Sequence, residues 1–144
     1  AETKRASTAR LEGHPDWAAR YRLYEYLDAE MAPALAAADI VLCRSGASTL
    51  SELAALGKPS VLIPLPPGFG GSPQAINAAM FEQRGAARVI RDADLTSATL
   101  EAALVPLLND ETERSTLAAG ARSLARLNAA ADLAALVAKL AKKE

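Results

Sequence analysis

This chain is short of the residues on which several large classes of protein depend. It has one cysteine, Cys43, so no internal disulfide can form, and one histidine, His14, which leaves no His/Cys set with the spacing of metal ligands. Neither sign of charge is in surplus: 16 Lys and Arg against 17 Asp and Glu give a net charge of −1, with the two signs well mixed. Nucleic-acid binding needs a basic field to neutralise phosphates, and there is none, so no nucleic-acid partner is expected. The concentrated positive charge, Lys139, Lys142 and Lys143, suits the negative end of a closing helix. No apolar run approaches the roughly 18 residues of a membrane span, and no signal-peptide pattern opens the chain, so a cytoplasmic location is the default expectation. Carboxylates placed for acid–base work are missing too. Glu25, Asp28 and Glu30 are close in sequence, but Asp28 has a capping explanation, and the catalytic residues are left unknown.

What the chain has in abundance is alanine, 34 of 144 residues. Alanine is the best helix former and allows close helix packing, which favours a helix-rich architecture over a sandwich or barrel. The length suits one domain that buries roughly two thirds of its extended surface. Residues 1–19 read as a polar leader or the remnant of a preceding helix, and 20–144 as the main domain.

Within that domain, Tyr21 to Leu27 alternates and is rich in β-formers, which predicts a strand. A helix follows, with Asp28 as its cap and Met31 and Leu35 on its inner face. Asp39 to Cys43, Ser60 to Leu65 and Ala86 to Ile90 read as short apolar strands of a parallel sheet covered on both faces. A helix starting at Ser48 or Thr49 is closed by Gly57, and another, from about Gln74 to Arg84, is closed by Gly85. Three more helical patterns cover roughly 96–108, 112–123 and 128–142, with boundaries at Thr96 and at Asn109-Asp110. Strands alternating with helices make a Rossmann-like α/β fold. Four strands are few for an open sheet, so the chain is expected to begin inside a larger domain, without its opening strand and glycine-rich turn.

Ligands of such sheets lie at the carboxyl ends of the strands, close to helix N-termini. Three loops meet that description: 26–31, 43–49 and 65–74. In the second, Gly46 permits a sharp turn or a close approach to a ligand, and amides near Ala47, Ser48 and Thr49 favour an anion. Glu52 lies one turn on, beside Ser48. Thr49 and Glu52 have the spacing of a capping box, so the pair reads either as helix capping or as a carboxylate accepting both hydroxyls of a ribose. Arg44 is either a phosphate contact or a member of a surface ion pair. In the third loop, Gly70-Gly71-Ser72 is a weak phosphate cradle without the lysine of a P-loop. Gln74 can donate to a phosphate or a sugar hydroxyl, and Asn77 can hold the loop through side-chain-to-backbone bonds. Cys43 reads as buried filler, and Trp17 with Tyr21, Tyr24 and Tyr26 as packing residues.

Tyr24 to Met31, Ala38 to Thr49, Glu52-Leu53-Ala54, Gly57-Lys58-Pro59 and Gln74 to Ala78 together closely resemble the C-terminal domain of the MurG family. These are the undecaprenyldiphospho-muramoylpentapeptide β-N-acetylglucosaminyltransferases, of the two-domain GT-B fold. The likeness covers about residues 20–140. It implies inverting transfer of N-acetylglucosamine from UDP-N-acetylglucosamine to lipid I, giving lipid II at the cytoplasmic face of the membrane, with no cofactor and no metal. It also implies roles: the main chain of Leu27 for the uracil edge, Ala47, Ser48 and Thr49 for the nucleotide, Glu52 for the ribose and Gln74 for the donor sugar. Lipid I and the catalytic base then fall to an N-terminal domain. Pro73 stands where the family commonly has histidine or glutamine, and Pro66 to Ser72 is richer in proline and glycine than the family's loop. The alternatives are the donor domain of another UDP-sugar transferase, a phosphate-binding regulatory domain, or a non-catalytic interaction module.

Overall fold

Three short runs, Val41–Cys43 (β1), Ser60–Leu62 (β2) and Ala87–Val89 (β3), form a parallel sheet in the order β1-β2-β3. In this computed structural model, which describes residues 2–66, 68 and 74–141, Val41 faces Ser60 and Ser60 faces Ala87. The ladders reach one residue further at the carboxyl end, where Ile63 N–H donates to Cys43 C=O at 2.9 Å and Ile90 N–H to Leu62 C=O at 2.9 Å. Parallel neighbours need crossover connections, and the helices Ala47–Leu56 (α4) and Gln74–Gln83 (α5) supply them.

β2 is central and buried at every position, as its unbroken apolar run requires. Successive side chains of a strand point to opposite faces, and β2 divides accordingly. Leu62 joins Leu50 and Leu53 of α4 and Ala78 and Phe81 of α5 in one cluster. Val61 and Ile63 join Ile90, Leu107 and Leu117 in the other. Leu107 and Leu117 come from the helices Ser97–Asn109 (α6) and Glu111–Ser123 (α7). Both helices start where their capping residues stand. Thr96 and Thr99 form a reciprocal capping box, with bonds of 3.1 and 2.9 Å, and Asp110 accepts from the amides of Thr112 and Glu113. A last helix, α8, spans Ala129–Ala141.

The connections at the amino edge of the sheet are tight. Gly57 closes α4 at φ 61°, in the left-handed region that glycine enters without steric cost, and Lys58 N–H bonds back to Leu53 C=O at 2.9 Å. Gly120 of α7 sits directly on the turn that closes α5: a Cβ there would lie 2.3 Å from Gly85 C=O.

Ahead of the sheet, α1 (Glu2–Glu12), α2 (Pro15–Ala18) and α3 (Met31–Ala37) are helical. By compactness the chain divides into Ala1–Ala34 and Leu35–Glu144, and the sheet with its loops lies in the second unit. The strand expected at Tyr21 to Leu27 is not formed. Arg22 and Glu25 interrupt its apolar content, and β-propensity without a neighbouring strand does not make a ladder. The sheet therefore has three strands among the described residues, not four. Trp17, Tyr21, Tyr24 and Tyr26 are 52 to 82% exposed, which corrects their expected packing role; Trp17 stacks on the His14 ring at 4.0 Å. α3 begins at Met31, after a turn in which Met31 N–H bonds Asp28 C=O; among the described residues the Asp28 side chain makes no capping bond. Leu35 packs on the first cluster, but Met31 is exposed and faces no core.

Candidate functional site

The carboxyl edge of the sheet begins where β1 ends. Cys43 is half-buried against the first cluster, and burial pushes its thiol up to about 11, so it stays protonated at neutral pH and packs as an apolar group. From Arg44 onward the chain turns into α4. That helix starts at Ala47 with Gly46 as its cap, and no side chain caps it. The capping expected of Ser48 or Thr49 is thereby corrected: both residues lie inside the first turn, and no Thr49–Glu52 capping box forms. Leu50 N–H is the first to bond back, to Gly46 C=O at 3.0 Å, which leaves the amides of Ala47, Ser48 and Thr49 without intrahelical partners.

Gly46 is not there for a special backbone angle. Its φ is −67°, and a Cβ added to it would meet nothing within 4 Å, so the fold itself would accept a larger residue. Ser48 and Glu52 are exposed, and their spacing of four puts them on one face of α4. Among the described residues Glu52 has no hydrogen bond and no ion pair. With the capping box gone, its carboxylate faces solvent on the same side of α4 as Ser48.

The neighbouring loops are tied to this turn by side chains. Ser45 is fully buried, and its Oγ donates to Gln74 C=O at 2.9 Å. Asn77 Nδ2 donates to Ser45 C=O at 3.1 Å, so the bond expected of Asn77 is made to the β1–α4 turn and not to a residue of the 65–74 loop. Gln74 is the first residue of α5 and only 9% exposed; its Oε1 accepts from Leu65 N–H at 3.0 Å. Arg44 Nη1 donates to Ile63 C=O at 3.1 Å and Pro64 C=O at 3.4 Å, and pairs with the Asp92 carboxylate. Arg44 is therefore an ion-pair member, and its guanidinium lies over the carboxyl end of β2. Ser45 and Asp92 escape a reading of the sequence because their partners are 29 and 48 residues away.

Arg44, Gly46, Ala47, Ser48, Thr49, Glu52, Gln74 and Asn77 thus come from adjoining loops of one sheet edge. A cavity of about 160 Å³ between α4 and α5, bordered by Ala47, Ser51, Asn77 and Met80, adjoins them. A larger one of about 480 Å³, lined by Ser7, Leu11, Trp17, Arg20 and Tyr21, shares no residue with this edge. Leu27 belongs to the first unit. Gly70-Gly71-Ser72, Pro73, Lys142 and Lys143 lie outside the described residues. Among the described residues no group of three His, Cys, Asp or Glu could hold a metal ion.

Residues 3–137 match the model of the glycosyltransferase family 28 C-terminal domain. The chain belongs to this family. It is 42% identical over 134 residues to the UDP-N-acetylglucosamine–N-acetylmuramyl-(pentapeptide) pyrophosphoryl-undecaprenol N-acetylglucosamine transferase of Salinibacter ruber, covering 93% of this chain and 34% of that one. The same-named protein of Paenarthrobacter aurescens is 43% identical over 117 residues, 81% of this chain and 31% of its own length. The crystal structure of Acinetobacter baumannii MurG superposes with a TM-score of 0.71 at 30% identity, over 82% of this chain and 33% of that one. The spinosyn forosaminyltransferase SpnP, at 22% identity and a TM-score of 0.59 over 81% of this chain and 30% of its own, shares the fold. The parallel α/β fold expected from the GT-B resemblance is thus present, and the chain spans about a third of the relatives it matches.

Proposed function

We propose that this family 28 domain is the donor-binding part of an inverting transferase that moves N-acetylglucosamine from UDP-N-acetylglucosamine to lipid I, giving lipid II in peptidoglycan synthesis. The observation that carries the reading is Glu52: an exposed carboxylate without a partner among the described residues, one turn from a helix start with unbonded amides. A carboxylate has lone pairs for both hydroxyls of a ribose. The amides of Ala47, Ser48 and Thr49 suit the adjoining diphosphate, which the positive end of the α4 dipole favours. Gly46 lets that diphosphate approach the main chain, and Arg44 offers a cation beside it. Gln74 donates through its amide NH2 to the donor sugar, and Asn77 fixes the turn on which Ser48 and Thr49 stand. The acceptor, the catalytic base and attachment to the cytoplasmic membrane face are assigned to residues of the whole enzyme outside this chain. No cofactor or metal has a role in this scheme.

Titration of the chain with UDP-N-acetylglucosamine, UDP and ADP, followed by amide shifts, tests the reading. UDP and its sugar should move residues 44–52 and 74–77 to saturation, and ADP should not. No UDP-dependent shift at those residues would overturn it in favour of an interaction module.

A further inference from the structure

We propose that Asp92 is a positioning residue for nucleotide binding: it holds the Arg44 guanidinium at the mouth of the sheet, where that cation meets the ligand's diphosphate. The inference rests on the reading of this edge as a nucleotide pocket and goes beyond it by assigning a residue from the far side of the sheet.

Three acceptors converge on one nitrogen. Arg44 Nη1 reaches Ile63 C=O at 3.1 Å, Pro64 C=O at 3.4 Å and the Asp92 carboxylate. The carbonyls belong to the exit of β2, and Asp92 opens the short 3-10 turn after β3, Asp92–Asp94. That turn is itself held, by Asp94 N–H on Arg91 C=O at 2.9 Å and by Arg91 Nε on the Asp94 carboxylate at 2.6 Å. Guanidinium has five donors, and Nε and Nη2 of Arg44 have no partner among the described residues. They remain available to an anion while Nη1 is anchored. All three bonds have an ionised donor, but of the three acceptors Asp92 alone carries a full negative charge, so ion-pair attraction adds to its bond and Asp92, more than the carbonyls, sets the anchor. Stability is a poor reason for the pair, because its side chains are 47% and 34% exposed, and pairs in such settings contribute little. The link joins the first and third strands across 48 residues of sequence, with the cation poised over the middle strand.

Titrations with UDP and with uridine test this on the unsubstituted chain, Asp92→Asn, Asp92→Glu, Arg44→Ala and the Asp92→Asn/Arg44→Ala double variant. Asp92→Asn should weaken UDP about fivefold while uridine changes less than about twofold, because only the diphosphate meets the cation. Asp92→Glu should stay within about twofold of the unsubstituted chain for both ligands. In the Arg44→Ala background, Asp92→Asn should have no further effect. Equal weakening of UDP and uridine would make Asp92 a support of the fold alone, and unchanged or tightened UDP binding would make the pair a surface contact; each overturns the proposal. Failure of the unsubstituted chain to bind UDP would overturn the pocket reading and this inference together, and it would show before any substitution is made.

Discussion

The amino and carboxyl edges of the sheet are built from the same kinds of residue, yet they put them to different use. At the amino edge, Gly57 needs its left-handed backbone, and a Cβ on Gly120 would strike the Gly85 carbonyl. At the carboxyl edge, Gly46 has ordinary extended backbone and open space where a Cβ would go, and Glu52, one turn on from Ser48, has no partner among the described residues. Folding explains the glycines of the first edge. Neither backbone angle nor packing demands glycine at 46, and neither a cap nor an ion pair occupies Glu52, which leaves both open to a ligand.

Substitutions at each edge sharpen or break this contrast. The largest effect is expected for Gly120→Ala, whose new methyl meets backbone that cannot step aside: a loss of about 3 kcal/mol in urea unfolding, with no direct effect on ligand. Stability within about 0.5 kcal/mol of the unsubstituted chain would remove the amino edge's side of the contrast. A smaller effect concerns Cys43, where the core side of β1 meets the site. Its thiol is raised from 9.0 to about 11 by burial, so the folded state favours the protonated form. The contribution is whole below about pH 9 and is lost as pH rises through about 11, because the unfolded chain releases its proton first. Iodoacetamide should therefore label folded protein much more slowly than urea-unfolded protein at pH 8, and equal rates would place the thiol with the open site. The smallest change in stability is expected for Gly46→Ala, which trades a favoured cap for a poor one in open space: a loss of no more than about 1 kcal/mol by unfolding, with UDP bound about tenfold more weakly. A large loss of stability there, with ligand affinity kept, would reverse the roles of the two edges.

How much of this was legible in the sequence differs by element. β1, β2 and β3 were visible as apolar runs bounded by Asp39, Pro59 and Gly85, and the starts of α6 and α7 were visible in Thr96 and Asp110, because those signals act within a few residues. Tyr21 to Leu27 carried the local signature of a strand and formed none, since a ladder depends on a partner that local sequence does not specify. Capping preference puts the start of α4 one or two residues too late for a related reason. Ser48 and Thr49 are favoured caps, but the turn is set by Ser45, whose hydroxyl bonds Gln74 C=O across 29 residues. Glu52 was legible as a candidate only with a capping alternative attached, and it took the position of the helix start to remove that alternative.

The central claim is that Glu52 holds a ribose. The measurement that tests it most directly is the ratio of affinities for UDP and 2′-deoxy-UDP, in the unsubstituted chain and in Glu52→Ala. The account predicts that the unsubstituted chain prefers UDP by about tenfold or more, that Glu52→Ala loses most UDP affinity, and that it no longer distinguishes the two ligands. A folded Glu52→Ala chain that binds UDP within about twofold of the unsubstituted one, or that keeps its preference for the ribose, would contradict it.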